Sequence, residues 1–202
     1  FSLLFAFAFF TRQGAQFGDV ILAANAVLMH FFLIGGYFLD GLATAAEQLA
    51  GRAVGARYRP AFRRSVRLTL IWGFTLSLAL TATYLLFGRQ FIALMTTAPE
   101  VRATAEMFLV WAALTPLVGV LAFQMDGVFI GATWSSDMRN MMVVSLAAYL
   151  AAFAVLTPAL GNHGLWLALL FFLGVRGLSL FLRLRAREPE TFGGAAAPTV
   201  SS

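Results

Sequence analysis

The chain has 202 residues, of which 60% are hydrophobic and 11% are charged, and its net charge at pH 7 is +5. A water-soluble domain of this length cannot bury so large an apolar fraction, so the composition excludes an ordinary soluble protein and indicates a membrane protein. All 14 residues counted as Lys or Arg are arginines and the chain contains no cysteine, which excludes disulfides, thiolate nucleophiles and thiolate-bound metals.

Apolar segments long enough to span a membrane follow one another along the chain. Three uncharged stretches of about 20 residues each can cross a hydrocarbon core of about 30 Å as helices that rise about 1.5 Å per residue. A longer uncharged stretch, 140–175, is broken by "LTPALGNHG", whose proline, glycines and asparagine predict a turn between two helices. The predicted spans are roughly 1–11, 20–50, 66–87, 104–132, 139–159 and 163–184.

The two ends of the chain differ from its middle. As a helix, the apolar run 1–11 reaches only about 16 Å, about half of a bilayer, and it begins with Phe rather than Met. We therefore expect the first helix to be truncated and the chain to be the second part of a longer protein. Residues 1–187 are expected to form the helical domain, and the small and polar segment 188–202 a disordered cytoplasmic tail.

The segment 88–106, "GRQFIALMTTAPEVRATAE", separates the third predicted span from the fourth. Its apolar residues lie on one side of a helix, which is typical of a segment that rests on a membrane surface. The prediction is a surface segment on the outer side, with Phe91, Ile92 and Leu94 in lipid.

The arginines are distributed unequally between the two sides of the predicted helical array. The connections after the second and fourth spans, together with the C-terminal segment, hold ten arginines, and the other connections hold three. Arginine-rich connections lie in the cytoplasm, so the pattern predicts a protein of the plasma (inner) membrane with a cytoplasmic C-terminus, and it explains the positive charge without nucleic acid. Arg176 lies within the sixth span, where pairing with an acid or a carbonyl is the simplest expectation.

Two acidic residues lie within the predicted spans. Asp40 is about 11 residues, or about 16 Å of helix, before the arginine-rich connection, and Asp126 is on the fourth span nearer the cytoplasm. An ionised carboxylate in hydrocarbon costs several kcal/mol unless it is protonated, paired or hydrated. Both are therefore candidates for binding a proton or a small cation. The alternative is a neutral carboxyl that hydrogen-bonds a neighbouring helix as part of the packing.

Several aromatic and polar residues accompany these acids. Aromatic rings beside acids suit an organic cation, and amides at membrane depth can line a cavity. The candidates for such a substrate cavity are Asn25, Phe32, Tyr37, Phe123 and Gln124. The alternative for most aromatics is contact with lipid.

Other features of the sequence narrow the function further. Glu47 lies near the membrane surface and is expected to be a structural partner of a nearby arginine. The two histidines are isolated from other ligands, so no metal site is predicted. The sequence has no zinc-hydrolase, serine-hydrolase or nucleotide-binding motif, so neither an enzyme nor a cofactor is predicted.

Two stretches resemble a known family. "DGLATAAEQLAGRAVGARYRPAFRR" and "MDGVFIGATWSSDMRNMM" are similar, in order and spacing, to the second and fourth helices of one lobe in multidrug and toxic compound extrusion (MATE) transporters of the DinF-like branch. The resemblance implies an antiporter of two six-helix lobes, with this chain as the C-terminal lobe and the N-terminal lobe as its missing partner. It implies exchange of a small cationic or amphipathic organic compound for protons or sodium. Sodium-linked relatives carry acids on the first helix and near the position of Gly119, which this chain lacks, so protons are favoured.

Two other functions fit the same sequence. A lipid or polysaccharide flippase would need a lateral groove and a basic cavity rather than lone acids. A non-transporting membrane scaffold would place Asp40 and Asp126 in tight helix contacts with no cavity between them.

Overall fold

A computed structural model of the chain describes residues 2–193. In this range it contains α-helices and one short 3₁₀ helix, Ala15–Phe17, but no strands. The α-helices are α1 (Ser2–Gly14), α2 (Asp19–Gly55), α3 (Arg59–Met95), α4 (Pro99–Gly131), α5 (Ser135–Leu160) and α6 (Asn162–Phe192). The five helices α2 to α6 are long and apolar enough to cross a membrane, and α1 has 13 residues. The predicted all-α, polytopic membrane fold is confirmed.

The helices are longer than the predicted spans, and this changes two predictions. α3 has 37 residues, about 55 Å of helix, and only Thr96, Thr97 and Ala98 separate it from α4. Most residues of the predicted surface segment 88–106 therefore belong to the ends of α3 and α4, although Phe91 and Leu94 are exposed as expected. Ile92 was expected in lipid but is fully buried, because it faces the other helices of the bundle.

The predicted tail, 188–202, begins too early, because residues 188–192 belong to α6, which continues to Phe192. Glu188 accepts hydrogen bonds from Nε of Arg59, at 2.7 Å, and from Nε of Arg63. Phe192 packs against Phe62, with ring centroids 5.3 Å apart. These contacts with α3 hold the end of α6 in a helix, and the rest of the predicted tail, 194–202, lies outside the described residues.

A second ionic cluster joins α5 to α6 near the same end of the bundle. Asp137, in the first turn of α5, accepts hydrogen bonds from Nε of Arg183, at 2.7 Å, and from Nε of Arg187. Its side chain is only 5% exposed, whereas the two arginines remain partly open to solvent. Some of the arginines that indicate topology therefore also fix helix ends.

α4 lies at the centre of the bundle, where it contacts α2, α3 and α6, while α5 packs mainly on α6. Glycines allow this close packing. A Cβ atom at Gly127 would overlap the carbonyl oxygen of Ala43 on α2, and one at Gly131 would overlap that of Glu47. A Cβ at Gly177 of α6 would lie 2.8 Å from a backbone nitrogen of α4. In lipid, such close backbone contact replaces the hydrophobic effect as the source of helix association.

Replacing Gly127 with Ala should lower the free energy of unfolding by about 1–3 kcal/mol, because backbone cannot move aside as a side chain can. Gly41 on α2 is the matched control for Gly127 on α4, since a Cβ at Gly41 would have no neighbour within 4 Å. Gly41→Ala should be neutral or slightly stabilising through helix propensity. Thermal unfolding of the two purified variants in detergent compares them, and equal melting temperatures would contradict the close contact.

Two connections have the same local structure. Ala56–Tyr58 and Ala132–Trp134 are three-residue turns in which the middle residue has a positive φ, 50° at Arg57 and 61° at Thr133. In each turn the N–H of the aromatic residue donates back to the preceding helix, Tyr58 to Ala53 and Trp134 to Phe129. This bonding satisfies carbonyls that the helix end leaves free. The two turns are short, so α3 begins four residues after the end of α2, and α5 begins four residues after the end of α4.

Candidate cation site

A cavity of about 330 Å³ lies between α2, α4 and α6 and is bordered by Met138 of α5. Its polar lining consists of Asp40, Thr44, Glu47, Asp126 and Arg176. The two intramembrane acids singled out in the sequence therefore share one cavity. A volume of this size is at the lower end of the range for small-molecule sites, about 300–1,000 Å³.

Helix periodicity and the glycine contact explain how these residues meet. Asp40 and Glu47 are seven residues apart on α2, so their side chains lie on nearly the same face, two turns from each other. The close approach of Gly127 to Ala43 brings that face against α4 next to Asp126. The Oγ1 of Thr44 donates to the backbone carbonyl oxygen of Asp40 at 2.9 Å, and both side chains line the cavity.

Arg176 is the partner of Asp126. Its Nη2 lies 2.6 Å from Oδ2 of Asp126, and the side chains are 10% and 17% exposed. The pair joins α6 to α4 and neutralises both charges within the bundle. The expectation that Arg176 would pair with an acid or a carbonyl is therefore met, and the acid is one of the two cation-site candidates. The other carboxylate oxygen, Oδ1, is buried and has no hydrogen-bond partner among the described residues.

Asp40 and Glu47 differ from Asp126 in their electrostatic environment. Within residues 2–193, neither carboxylate has a basic group within 4.0 Å. The sequence suggested that Glu47 would pair with an arginine, and this expectation is wrong. Glu47 instead lines the cavity. With three acids and one arginine in its lining, the cavity carries a net charge of −2 when all four are ionised.

Among the residues predicted for a substrate cavity, Phe123 lines the same cavity as the acids. Tyr37 lies one turn before Asp40 on α2, but its side chain is 73% exposed and is not part of the lining. An aromatic ring beside three carboxylates can contact an organic cation through its face.

The structure places the other three candidates away from this cavity. Asn25 forms a reciprocal amide pair with Asn162, at 2.7 and 3.0 Å, and also accepts from Nε1 of Trp166 at 3.0 Å. Phe32 is in the core, with its ring edge-on to Phe7, and Gln124 is fully buried near Gly73 of α3. They do not line the cavity of Asp40 and Asp126, because each faces a helix neighbour that the sequence alone does not reveal. Their part in a substrate cavity stays a prediction.

No group of three or more potential metal ligands occurs within the part of the chain that the structure describes. His163 instead accepts a hydrogen bond at Nδ1 from Trp111, at 2.8 Å, and packs against Phe108. The candidate site consists of carboxylates, an arginine and an aromatic ring, which suit reversible binding of a proton or an organic cation.

Comparison with known proteins extends these observations. The chain is 42% identical over 187 residues to DNA damage-inducible protein F of Escherichia coli (strain K12), which covers 88% of the chain and 39% of that protein. It is 26% identical over 189 residues to Protein DETOXIFICATION 45, chloroplastic, of Arabidopsis thaliana, covering 93% of the chain and 33% of that protein. The chain thus spans less than half of the length of these relatives.

Solved structures share its fold. A multidrug resistance MATE family transporter of the MOP superfamily, in an inward-facing conformation, matches 96% of the chain and 46% of its own length, with a TM-score of 0.83 and 18% identity. The bent form of the Vibrio cholerae MATE transporter VcmN matches 93% of the chain and 44% of its own length, with a TM-score of 0.83 and 21% identity. The MatE family model matches residues 1–158. The resemblance predicted from the two sequence stretches is confirmed, and the chain belongs to the MatE family.

Proposed function

We propose that this chain is the C-terminal lobe of a secondary antiporter that exports small cationic or amphipathic organic compounds in exchange for protons. The observation that carries the proposal is the shared cavity of Asp40, Glu47 and Asp126 in a membrane chain of the MatE family. A missing N-terminal lobe of the same protein would supply the facing wall. The relatives span more than twice the length of this chain, which supports a two-lobe protein.

In the proposed cycle, protons and the cationic substrate compete for the carboxylates of the cavity. A carboxylate that binds a proton loses its charge and with it its attraction for a cationic substrate. Protonation of Asp40 or Glu47 from the outside would release the substrate, and deprotonation toward the cytoplasm would restore the site. Asp126 is paired with Arg176, so the proposed cycle uses the two carboxylates of the cavity that have no basic partner among the described residues, Asp40 and Glu47.

The cavity also bears on the two other candidate functions. A scaffold is expected to bury Asp40 and Asp126 in tight contacts, but an open cavity of about 330 Å³ lies between them. A flippase for anionic lipids or polysaccharides would need a basic cavity, whereas this lining has three acids and one arginine. Both observations support the antiporter over its alternatives.

The test is transport by the full-length protein in vesicles, with the probe ethidium and an imposed proton or sodium gradient. We expect the proton gradient to drive exchange and the sodium gradient to have little effect. Asp40→Asn should abolish the response to the proton gradient while protein yield is unchanged, because the amide keeps the size of the side chain and cannot titrate. Asp19→Asn, at the exposed start of the same helix, is the matched control and should transport normally. Exchange driven only by sodium, or an unchanged Asp40→Asn variant, would refute the proposed coupling.

The proposed orientation places the protein in the plasma (inner) membrane with the α2–α3 and α4–α5 turns and the end of α6 in the cytoplasm. The arginines concentrate at these positions, which supports this side. Because the chain has no cysteine, single cysteines can report orientation. Cysteines at Arg57 and Ser135 should react only with a cytoplasmic thiol reagent, and cysteines at Gln90 and Thr97 only with an external one. Reaction of both pairs from one side would contradict the topology.

A further inference from the structure

We infer that the groove between α3 and α6 at the arginine-rich end of the bundle is a binding site for one anionic phospholipid. In this site the lipid phosphate contacts Arg63 and Arg67, and an acyl chain lies along Ile71 and Phe181. This site is separate from the acidic cavity and does not depend on the transport cycle proposed for it.

The groove has a volume of about 330 Å³ and two chemically different parts. Arg63, Arg67 and Glu188 form its polar end, while Leu70, Ile71 and Phe181 belong to its apolar wall. A free anion would find contacts only at the polar end, and an uncharged hydrocarbon only at the apolar wall. A phospholipid has both parts in one molecule.

The order of residues along α3 matches the order of groups in a lipid. Arg63, Arg67 and Ile71 are spaced by four residues, so they lie above one another on one helix face, about 6 Å apart along the axis. The arginines are nearer the start of α3 and Ile71 is deeper in the uncharged part of the helix. A phosphate held by the arginines would direct its acyl chains toward the membrane interior, parallel to α3.

The charges of the groove favour an anion despite the acid in its wall. Glu188 is already engaged, since it accepts hydrogen bonds from Nε of both Arg59 and Arg63. This contact orients the Arg63 side chain, which is still 62% exposed, and leaves its terminal nitrogens free to donate. Arg67 is exposed and has no ion pair among the described residues. The groove therefore keeps a net positive charge after the internal pairing.

The wall formed by α6 adds a further cation. The guanidinium carbon of Arg185 lies 4.9 Å from the centre of the Phe181 ring. Phe181 belongs to the apolar wall, so this contact adds a positive charge beside the groove, although Arg185 does not itself line it. Basic clefts between membrane helices at the cytoplasmic surface are suited to anionic headgroups, which are concentrated in that leaflet.

The test is native mass spectrometry of the full-length protein in detergent, titrated with phosphatidylglycerol or phosphatidylcholine. We expect at least one phosphatidylglycerol to bind about tenfold more tightly than phosphatidylcholine. Arg63→Gln combined with Arg67→Gln should remove this preference. Arg67→Gln alone leaves the Arg63–Glu188 contact intact, so it should reduce the preference severalfold without affecting the fold.

A matched control removes the same charge elsewhere. Arg52 and Arg64 are exposed arginines near the same end that do not line the groove, so R52Q/R64Q should bind phosphatidylglycerol as the wild type does. An equal loss in R52Q/R64Q and R63Q/R67Q would mean a diffuse attraction to the whole basic end and would overturn the site.

A second variant tests the apolar wall. Ile71→Trp fills the groove and keeps every arginine, so it should also weaken phosphatidylglycerol binding. Unchanged binding by Ile71→Trp, or complete displacement of the lipid by inorganic phosphate, would show that the groove recognises phosphate without an acyl chain and would overturn the lipid assignment.

Discussion

Replacing Asp126 with Asn should lower the free energy of unfolding by about 3 kcal/mol or more, because it leaves the buried guanidinium of Arg176 without a counter-charge. The two side chains are 10% and 17% exposed and their charged atoms are 2.6 Å apart, so Asp126 is the counter-charge of a largely buried guanidinium. Arg176→Gln should lower the free energy of unfolding by less, because the Asp126 carboxyl can take up a proton and become neutral, whereas the guanidinium of Arg176 cannot lose its charge. Thermal unfolding in detergent, with yield after purification as a second measure, gives the comparison.

The double variant, Asp126→Asn with Arg176→Gln, shows how much of the loss of stability comes from the unpaired charge and how much from changed packing. Removing both charges leaves two neutral amides, so the double variant should be more stable than Asp126→Asn alone, which leaves the guanidinium unpaired. The exposed pair of Arg89 and Glu106, 3.3 Å apart, is the matched control and should show a coupling energy below about 1 kcal/mol. Additive effects at Asp126 and Arg176 would contradict the buried pair.

The number and type of the helices could be predicted from the sequence, because each depends on a local property. An uncharged stretch of about 20 residues requires a helix in a bilayer whatever lies beside it. Helix ends were less predictable. α6 continues past residue 187 to Phe192 because Glu188 meets Arg59 and Arg63, and those contacts arise only after folding.

The candidate site was predictable only where helix periodicity connected its members. Asp40 and Glu47 share a face of α2, and their position in the membrane marked Asp40 as unusual. Asp126 and Arg176 are 50 residues apart on two different helices. The sequence indicated that Arg176 would pair with an acid or a carbonyl, but not that Asp126 would be its partner. Asn25 shows the limit of this reasoning, because its amide was assigned to the cavity but meets Asn162 across another interface.

Removing the two unpaired carboxylates together, as Asp40→Asn with Glu47→Gln, should weaken the binding of a monovalent organic cation by about a hundredfold. Asp40 is exposed, so an effective dielectric constant of about 30, between the values for a protein surface and for water, applies to the site. At about 8 Å from the bound cation, each carboxylate then contributes about 1.4 kcal/mol, which corresponds to a tenfold change in affinity. Each single variant should lose about tenfold. Binding of tetraphenylphosphonium to the full-length protein, at a pH at which the wild type binds it, provides the measurement.

The control is a variant that also removes two negative charges, but at positions that do not line the cavity. Asp19 and Glu100 are exposed acids in the first turns of α2 and α4, so D19N/E100Q removes two negative charges without altering the lining. Its affinity should stay within about twofold of the wild type, because water and salt screen surface charges over such distances. Glu47→Asp, which keeps the charge, should bind more tightly than Glu47→Gln. If D40N/E47Q retains its affinity for the cation, the substrate does not bind through these carboxylates, and their cavity is then a packing defect between α2 and α4.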